Sequence, residues 1–525
     1  MASLNHARRL AIAGLVALLG GATLLGAVLG GGALAQDRGQ VRILVGEPAN
    51  LDPARQGDAA SAASGTQLFE TVTAFDPGLT LRPALAASWD VTDDGRQVVF
   101  HLRPDLTFSD GSALTAEDVA ASWLRLLDPA SPSPLAALLH DVRNARARLA
   151  GQVGEGEVGI RADGSDVVVD LERPGADFPA IAAAPIFGVV PRGVRRGDQQ
   201  AGAPGGVVSG GYAVATVTAE EITLEANPRY WAGPPAIGTV RLLLDIGGRS
   251  PVAAFEAGDV DYTIVFAFDA AWIRYDDRLG PQLREVPSLT LTYVAFDTTR
   301  PPFDDPRVRQ AFGTAVDWRR LTALGAFGGE QPARSMVPPG IPGAGDGDWL
   351  PVHDPDGARA LLAEAGHAGG AGLPPIHFAV DGWGYAEAIA AEIRTELGIE
   401  ISLEAVDDHF GRLQTDPPEM FIVGWQADYP GPNDFLGVLL GSDAGDNYGR
   451  WVSPAFDAAL ADALATRDPA EAQAAYERAL AIVRDEVPAV PLVTGADWAL
   501  SREGLLGAGP NPLGMLRMAG LAWAP

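Results

Sequence analysis

Short apolar runs alternate with amphipathic segments along almost the whole chain, and this alternation constrains the fold more than any other feature. VRILVGEP (41–48), VRLLLDI (240–246), LTLTYVAFDT (289–298) and MFIVGW (420–425) are brief and apolar, with turn-forming or polar residues at their ends, which predicts strands. Asp305-Pro306, Asp354-Pro355, Ser453-Pro454 and Asp468-Pro469 each set a capping side chain before a proline suited to the first helical position. The stretches 84–104, around Asp94-Gly95, and 150–175, around Asp163-Gly164, read as hairpins. Thr115 and Asp118 have capping-box spacing ahead of Val119, Trp123 and Leu126-Leu127, which share one helical face. Strands and helices interleaved in this way predict α/β domains with mixed sheets.

A chain of 525 residues suffices for two or three such domains. Its 67 acids face 38 bases, all of them Arg, for a net charge of −29. A surface this acidic repels nucleic acid and anionic membrane and favours solubility. There is no Cys, so disulfides, thiol catalysis, Cys-ligated metals and an N-terminal lipid-modified cysteine are all excluded. Arg8-Arg9, the small apolar residues from 10 onward and Ala33-Leu34-Ala35 form a secretion-signal pattern. Residues 1–35 are therefore expected to be removed after Ala35, releasing a periplasmic protein with no lipid anchor. A retained membrane anchor is the alternative reading. No later segment is long and apolar enough to span a membrane.

Searches for chemistry find little. G-x-S-x-G, H-E-x-x-H and Walker patterns are missing. His353, His367, His377 and His409 lack ligand spacing. Asp304-Asp305 and Asp407-Asp408 are adjacent in sequence, so their side chains diverge. No catalysis, metal or cofactor is expected. The most informative run is GWQADYPGPNDFL (424–436). Trp425 and Asp428 stand just past a predicted strand, where an indole and a carboxylate suit a crevice that takes a cationic ligand group. The same two residues would also suit a core and a turn, and sequence leaves both readings open.

Further segments, read together, resemble the extracytoplasmic solute-binding proteins of ABC importers, oligopeptide/dipeptide (family 5) class. They are EPANLDP (47–53), LFETV (68–72), 85–129, LEANPRYWAGPP (224–235), PPFDDPRVRQAFGTAVD (301–317), the 424–436 run and SPAFDAAL (453–460), in the family's order and over nearly all of the chain. The resemblance implies an α/β, two-lobed periplasmic-binding-protein fold (type II-like, mixed sheets) with an extra subdomain inserted in lobe I. It implies 36–70, 176–282 and 488–525 as lobe I, 71–175 as the insert and 283–487 as lobe II. A short peptide would be enclosed between the lobes and passed by a monomer to an inner-membrane ABC permease. Asp428, with Trp425 beside it, would hold the peptide's α-amino group. The backbone of Gly424 and Gln426 would pair with the peptide as an added strand. Gly57, Asp58 and Ala59 would touch peptide backbone, and Leu135 stands where relatives have an aromatic contact. Ile422 replaces an Arg that some oligopeptide-binding members carry. A sugar, opine or nickel- or haem-type chelate on the same scaffold is the alternative ligand. A secreted hydrolase and a signalling receptor are the alternative activities.

Overall fold

Helices between successive strands force parallel pairing at the centre of a sheet, whereas tight turns give antiparallel edges. Both occur here. The computed structural model describes residues 39–525, apart from 195–200, 326–329, 381–383 and 407. The expected export signal and Asp407 lie outside the described residues.

In a seven-stranded sheet, Gln40–Leu44 pairs in parallel with Thr239–Leu243 on one side and Tyr262–Val265 on the other. Glu221–Ala226 and Tyr212–Val217 extend it as an antiparallel hairpin, and Ala496–Ser501 and Leu283–Pro287 complete the opposite edge. A six-stranded sheet is ordered Gln331–Pro332, Ala489–Thr494, Thr290–Phe296, Met420–Gln426, Ile376–Val380, Ile401–Ala405. A separate four-stranded antiparallel sheet holds Ala86–Val91, Gln97–Leu102, Asp166–Asp170 and Ile160–Asp163.

Each sheet has its own core. Met420 and Ile422 face one apolar cluster of the six-stranded sheet, while Phe421 and Val423 face the other. Both faces are covered, which is why this strand reads as an unbroken apolar run. In the four-stranded unit Trp123 is fully buried among Phe100, Phe178 and Phe187, with centroids 5.4–6.2 Å away. Its indole N–H donates to the Phe187 carbonyl at 3.1 Å.

Three of the four expected Asp/Ser-Pro caps accept a backbone N–H. Asp305 takes that of Arg307, Asp354 that of Gly357, and Asp468 those of Ala470 and Glu471. Ser453 does not. Its hydroxyl donates instead to Glu486 Oε1 at 3.3 Å, a carboxylate on the neighbouring helix.

The chain crosses between the two large sheets at neighbouring points, between Pro287 and Thr290 and between Thr494 and Ala496. These crossings fall a few residues beyond the limits expected at 282/283 and 487/488. Leu283–Pro287 carries Arg284 and Glu285 and has no strand-like apolar pattern, yet it pairs along Ala496–Ser501. The two crossings touch. Ser288 N–H donates to Gly495 O at 3.3 Å, and Gly495 N–H donates to Thr290 Oγ1 at 2.9 Å. A Cβ on Gly495 would stand 2.6 Å from Thr290 Oγ1, so this close approach requires glycine. The C-terminal segment also bridges the sheets. Pro512 O accepts from Leu289 N–H at 2.9 Å, and Leu516 O accepts from Gln67 Nε2 at 2.8 Å.

Candidate ligand-binding site

The site begins with one strand and its parity. Successive residues of Met420–Gln426 aim their backbone groups to opposite sides. Odd-numbered residues face Thr290–Phe296, as Ala427 N–H donating to Leu289 O at 2.9 Å shows just past the strand end. Even-numbered residues face the other way. There Met420 pairs with Phe378, and Ile422 O accepts from His409 Nε2 at 2.7 Å. Gly424 and Gln426 follow on this same edge, and among the described residues no strand pairs with them there. The edge is thus free to accept two or three residues of added extended chain.

Asp428 stands just beyond the free end of that strand. Its half-buried carboxylate lines a crevice with Thr66, Phe75, Asn511, Met515 and Arg517, residues that come from the helix Ala59–Leu68, the two-stranded sheet of Thr73–Phe75 and Leu81–Pro83, and the C-terminal segment. Among the described residues no cation pairs with Asp428. Burial, and next the charge of Asp446, push its pKa up to about 6. Behind it Asp434 is fully buried, and its Oδ2 accepts from both Trp425 Nε1 and Asp428 N, each at 3.1 Å. Burial, and then the neighbouring Asp428, hold Asp434 well above the usual carboxylate range. One buried acid therefore fixes both the indole and the loop that presents Asp428. Tyr429, the next residue, donates to Asp177 Oδ2 at 2.8 Å, tying this loop to the segment that follows the four-stranded sheet.

Arg517 offers no free cation to the crevice. It donates to Glu70 Oε1 at 2.9 Å, and Glu70 also accepts from Tyr230 Oη and, at 3.3 Å, from Trp231 Nε1. Burial works to raise the Glu70 pKa, but Arg517 and these donors outweigh it and hold the carboxyl ionised. The crevice has one uncompensated charge, and it is negative.

Residues 80–447 match the family model described as bacterial extracellular solute-binding proteins, family 5 Middle. The chain belongs to this family. It is 30% identical over 463 residues to a probable deoxycholate-binding periplasmic protein of Escherichia coli strain K12, covering 85% of this chain and 86% of that one. It is 28% identical over 491 residues, and 90% of each chain, to the periplasmic oligopeptide-binding protein of the same organism. The solved structure of the Escherichia coli murein tripeptide binding protein superposes with a TM-score of 0.74 at 26% identity, over 93% of this chain and 98% of that one. The fold is the two-lobed α/β fold of periplasmic solute-binding proteins, with mixed sheets. Among the described residues no helix is long and apolar enough to cross a membrane, and no three His, Asp or Glu side chains are placed to hold a metal ion.

Within this family-5 frame, the residues singled out from sequence do not all converge. Asp428 lines the crevice, and Gly424 and Gln426 form the free edge beside it. Trp425 packs partly against the lobe core and is anchored by Asp434, so its ring is only half available. Gly57, Asp58 and Ala59 are exposed at a helix start, where Asp58 accepts from Ser61 N–H at 2.8 Å. Leu135 packs against the core of the four-stranded unit, and Gly57 abuts its neighbour Pro134. None of these four lines the crevice with Asp428. Ile422 is fully buried in the sheet core, so its side chain cannot face a ligand. Sequence reading missed Asp434, Arg517 and Asn511. Asp434 had a usable signal, since it lies in the first turn of the proline-started helix Pro432–Leu440, the next element after the strand Met420–Gln426. Arg517 had none, because its partner Glu70 is 447 positions away.

Proposed function

We propose that the protein is an exported, monomeric receptor that encloses short peptides between its lobes and hands them to an inner-membrane ABC permease. Lobe I is built on the seven-stranded sheet and carries the four-stranded insert; lobe II is built on the six-stranded sheet. The two touching crossings at 288–289 and 495 serve as the hinge. The observation that carries the peptide reading is Asp428, a half-buried carboxylate without a cationic partner at the end of an unpaired strand edge. A peptide supplies what both features lack: an ammonium for the acid and an extended backbone for the edge. Asp428→Ala should preserve the fold and weaken binding of a tripeptide at least tenfold, about 1.4 kcal/mol. Unchanged affinity in calorimetry would remove Asp428 from the site.

A second reading follows from the apolar part of the crevice, where Phe69, Phe75, Leu513 and Met515 lie. They would suit an amphipathic ligand such as the bile acid named for one relative. An anionic ligand, however, would meet Asp428 with the cation of Arg517 already engaged by Glu70. A thermal-shift comparison of short peptides with deoxycholate separates the readings, because a ligand of the folded state raises the melting temperature.

A further inference from the structure

The free edge of Met420–Gln426 is short, and a single side chain ends it. His409 opens the helix His409–Thr415 and is 5% exposed. Its Nε2 lies 2.7 Å from Ile422 O. A carbonyl can only accept, so Nε2 carries a hydrogen and donates it, and among the described residues the buried Nδ1 has no partner. The imidazole takes the position that a donor on an added strand would otherwise occupy. Beyond it the edge is covered, since Met420 and Phe421 pair with Phe378 and Ala379.

We infer that His409 sets the length of peptide this receptor accepts, a reading that rests on the peptide-binding function proposed above. A ligand whose ammonium lies at Asp428 and which extends this edge runs antiparallel to Met420–Gln426, towards Ile422. In an antiparallel ladder the groups facing one edge recur at every second residue, so ligand residue one lies opposite Gln426 and residue three opposite Gly424. Residue five would need Ile422 O, which His409 holds. Backbone pairing therefore ends after the third residue, and every added residue must turn off the edge against the helix that carries His409. The preferred ligands are di- and tripeptides. His409 is a positioning residue: it fixes where the edge stops without touching the ligand's ammonium.

Calorimetric titration of the purified protein with trialanine and pentaalanine tests this. Trialanine should bind at least tenfold more tightly. His409→Ala, which frees Ile422 O, should shrink the gap to less than threefold. His409→Gln retains an N–H donor and should preserve the gap; it also covers the case in which alanine at this buried position fails to fold. Equal affinity of the native protein for the two lengths, or a gap untouched in folded His409→Ala, would overturn the inference. Asp428→Ala separates the two layers. If it abolishes binding of both lengths while the native protein shows no gap, only the length limit fails. If the native protein binds neither peptide, the peptide reading fails with it.

Discussion

At the scale of single residues, the site turns on how a carboxylate behaves once it loses water. Asp428 is raised to about 6 by burial and by Asp446. Only the ionised form attracts an ammonium, so affinity should rise with pH through 6 and level off above 7. A group of pKa 6 is about one-tenth ionised at pH 5, so peptide binding should be about tenfold weaker there than at pH 7.5. Titrations at the two pH values check this, and a flat profile would detach Asp428 from the ligand. Asp434 is the support. Asp434→Ala removes the shared acceptor of Trp425 Nε1 and Asp428 N, so it should weaken binding and alter tryptophan fluorescence. At this scale, sequence revealed the residues at and just past an obvious strand end, although Trp425 proves to be the strand's penultimate residue and only Asp428, two positions beyond Gln426, follows it. It was silent where the partner is remote, as with Glu70 and Arg517. It was also silent on whether a capping residue is free for other work; Asp58 spends its carboxylate on Ser61.

At the scale of elements, helices started by Asp-Pro were legible because a cap acts over three residues and needs no tertiary partner. Asp468→Ala should destabilise by about 1 kcal/mol, since Asp468 accepts from two N–H groups at the start of the 18-residue helix Pro469–Glu486. A lower melting temperature without a change in ligand affinity is the expected outcome. Ser453 shows the limit of the pattern, for a nearby acid diverted its hydroxyl. Strands were legible when both faces are buried, as in Met420–Gln426. They were illegible where the chain crosses between the two large sheets, since Leu283–Pro287 is an edge strand with charged residues and Ala489–Thr494 contains a proline. The open edge itself could not be read from sequence, since it depends on which strand stops short beside it.

At the scale of the molecule, closure and access are linked. The crevice at Asp428 has a volume of about 30 Å³, far below the roughly 300 Å³ of small-molecule sites. A peptide can enter only if the lobes part, and binding should return them to a closed form. Small-angle scattering should then show a smaller radius of gyration with a tripeptide than without it. Stability should follow the opposite pH trend to affinity. Asp177 and Asp428, each raised to about 6, and Asp434, raised further, hold protons more tightly folded than unfolded. Their contribution favours the fold at low pH and is lost as the pH rises through 6. The ligand-free protein should therefore melt at a higher temperature at pH 5 than at pH 7.5. Acids held low by arginine, such as Glu221 and Asp305, pull the other way only in more acidic solution.

The most direct measurement compares a tripeptide with its N-acetylated form by calorimetry at pH 7.5. Acetylation removes the positive charge and leaves the rest of the backbone available to the strand edge. The free-amine peptide should bind at least tenfold more tightly; equal affinities would contradict capture of the ligand's ammonium by Asp428.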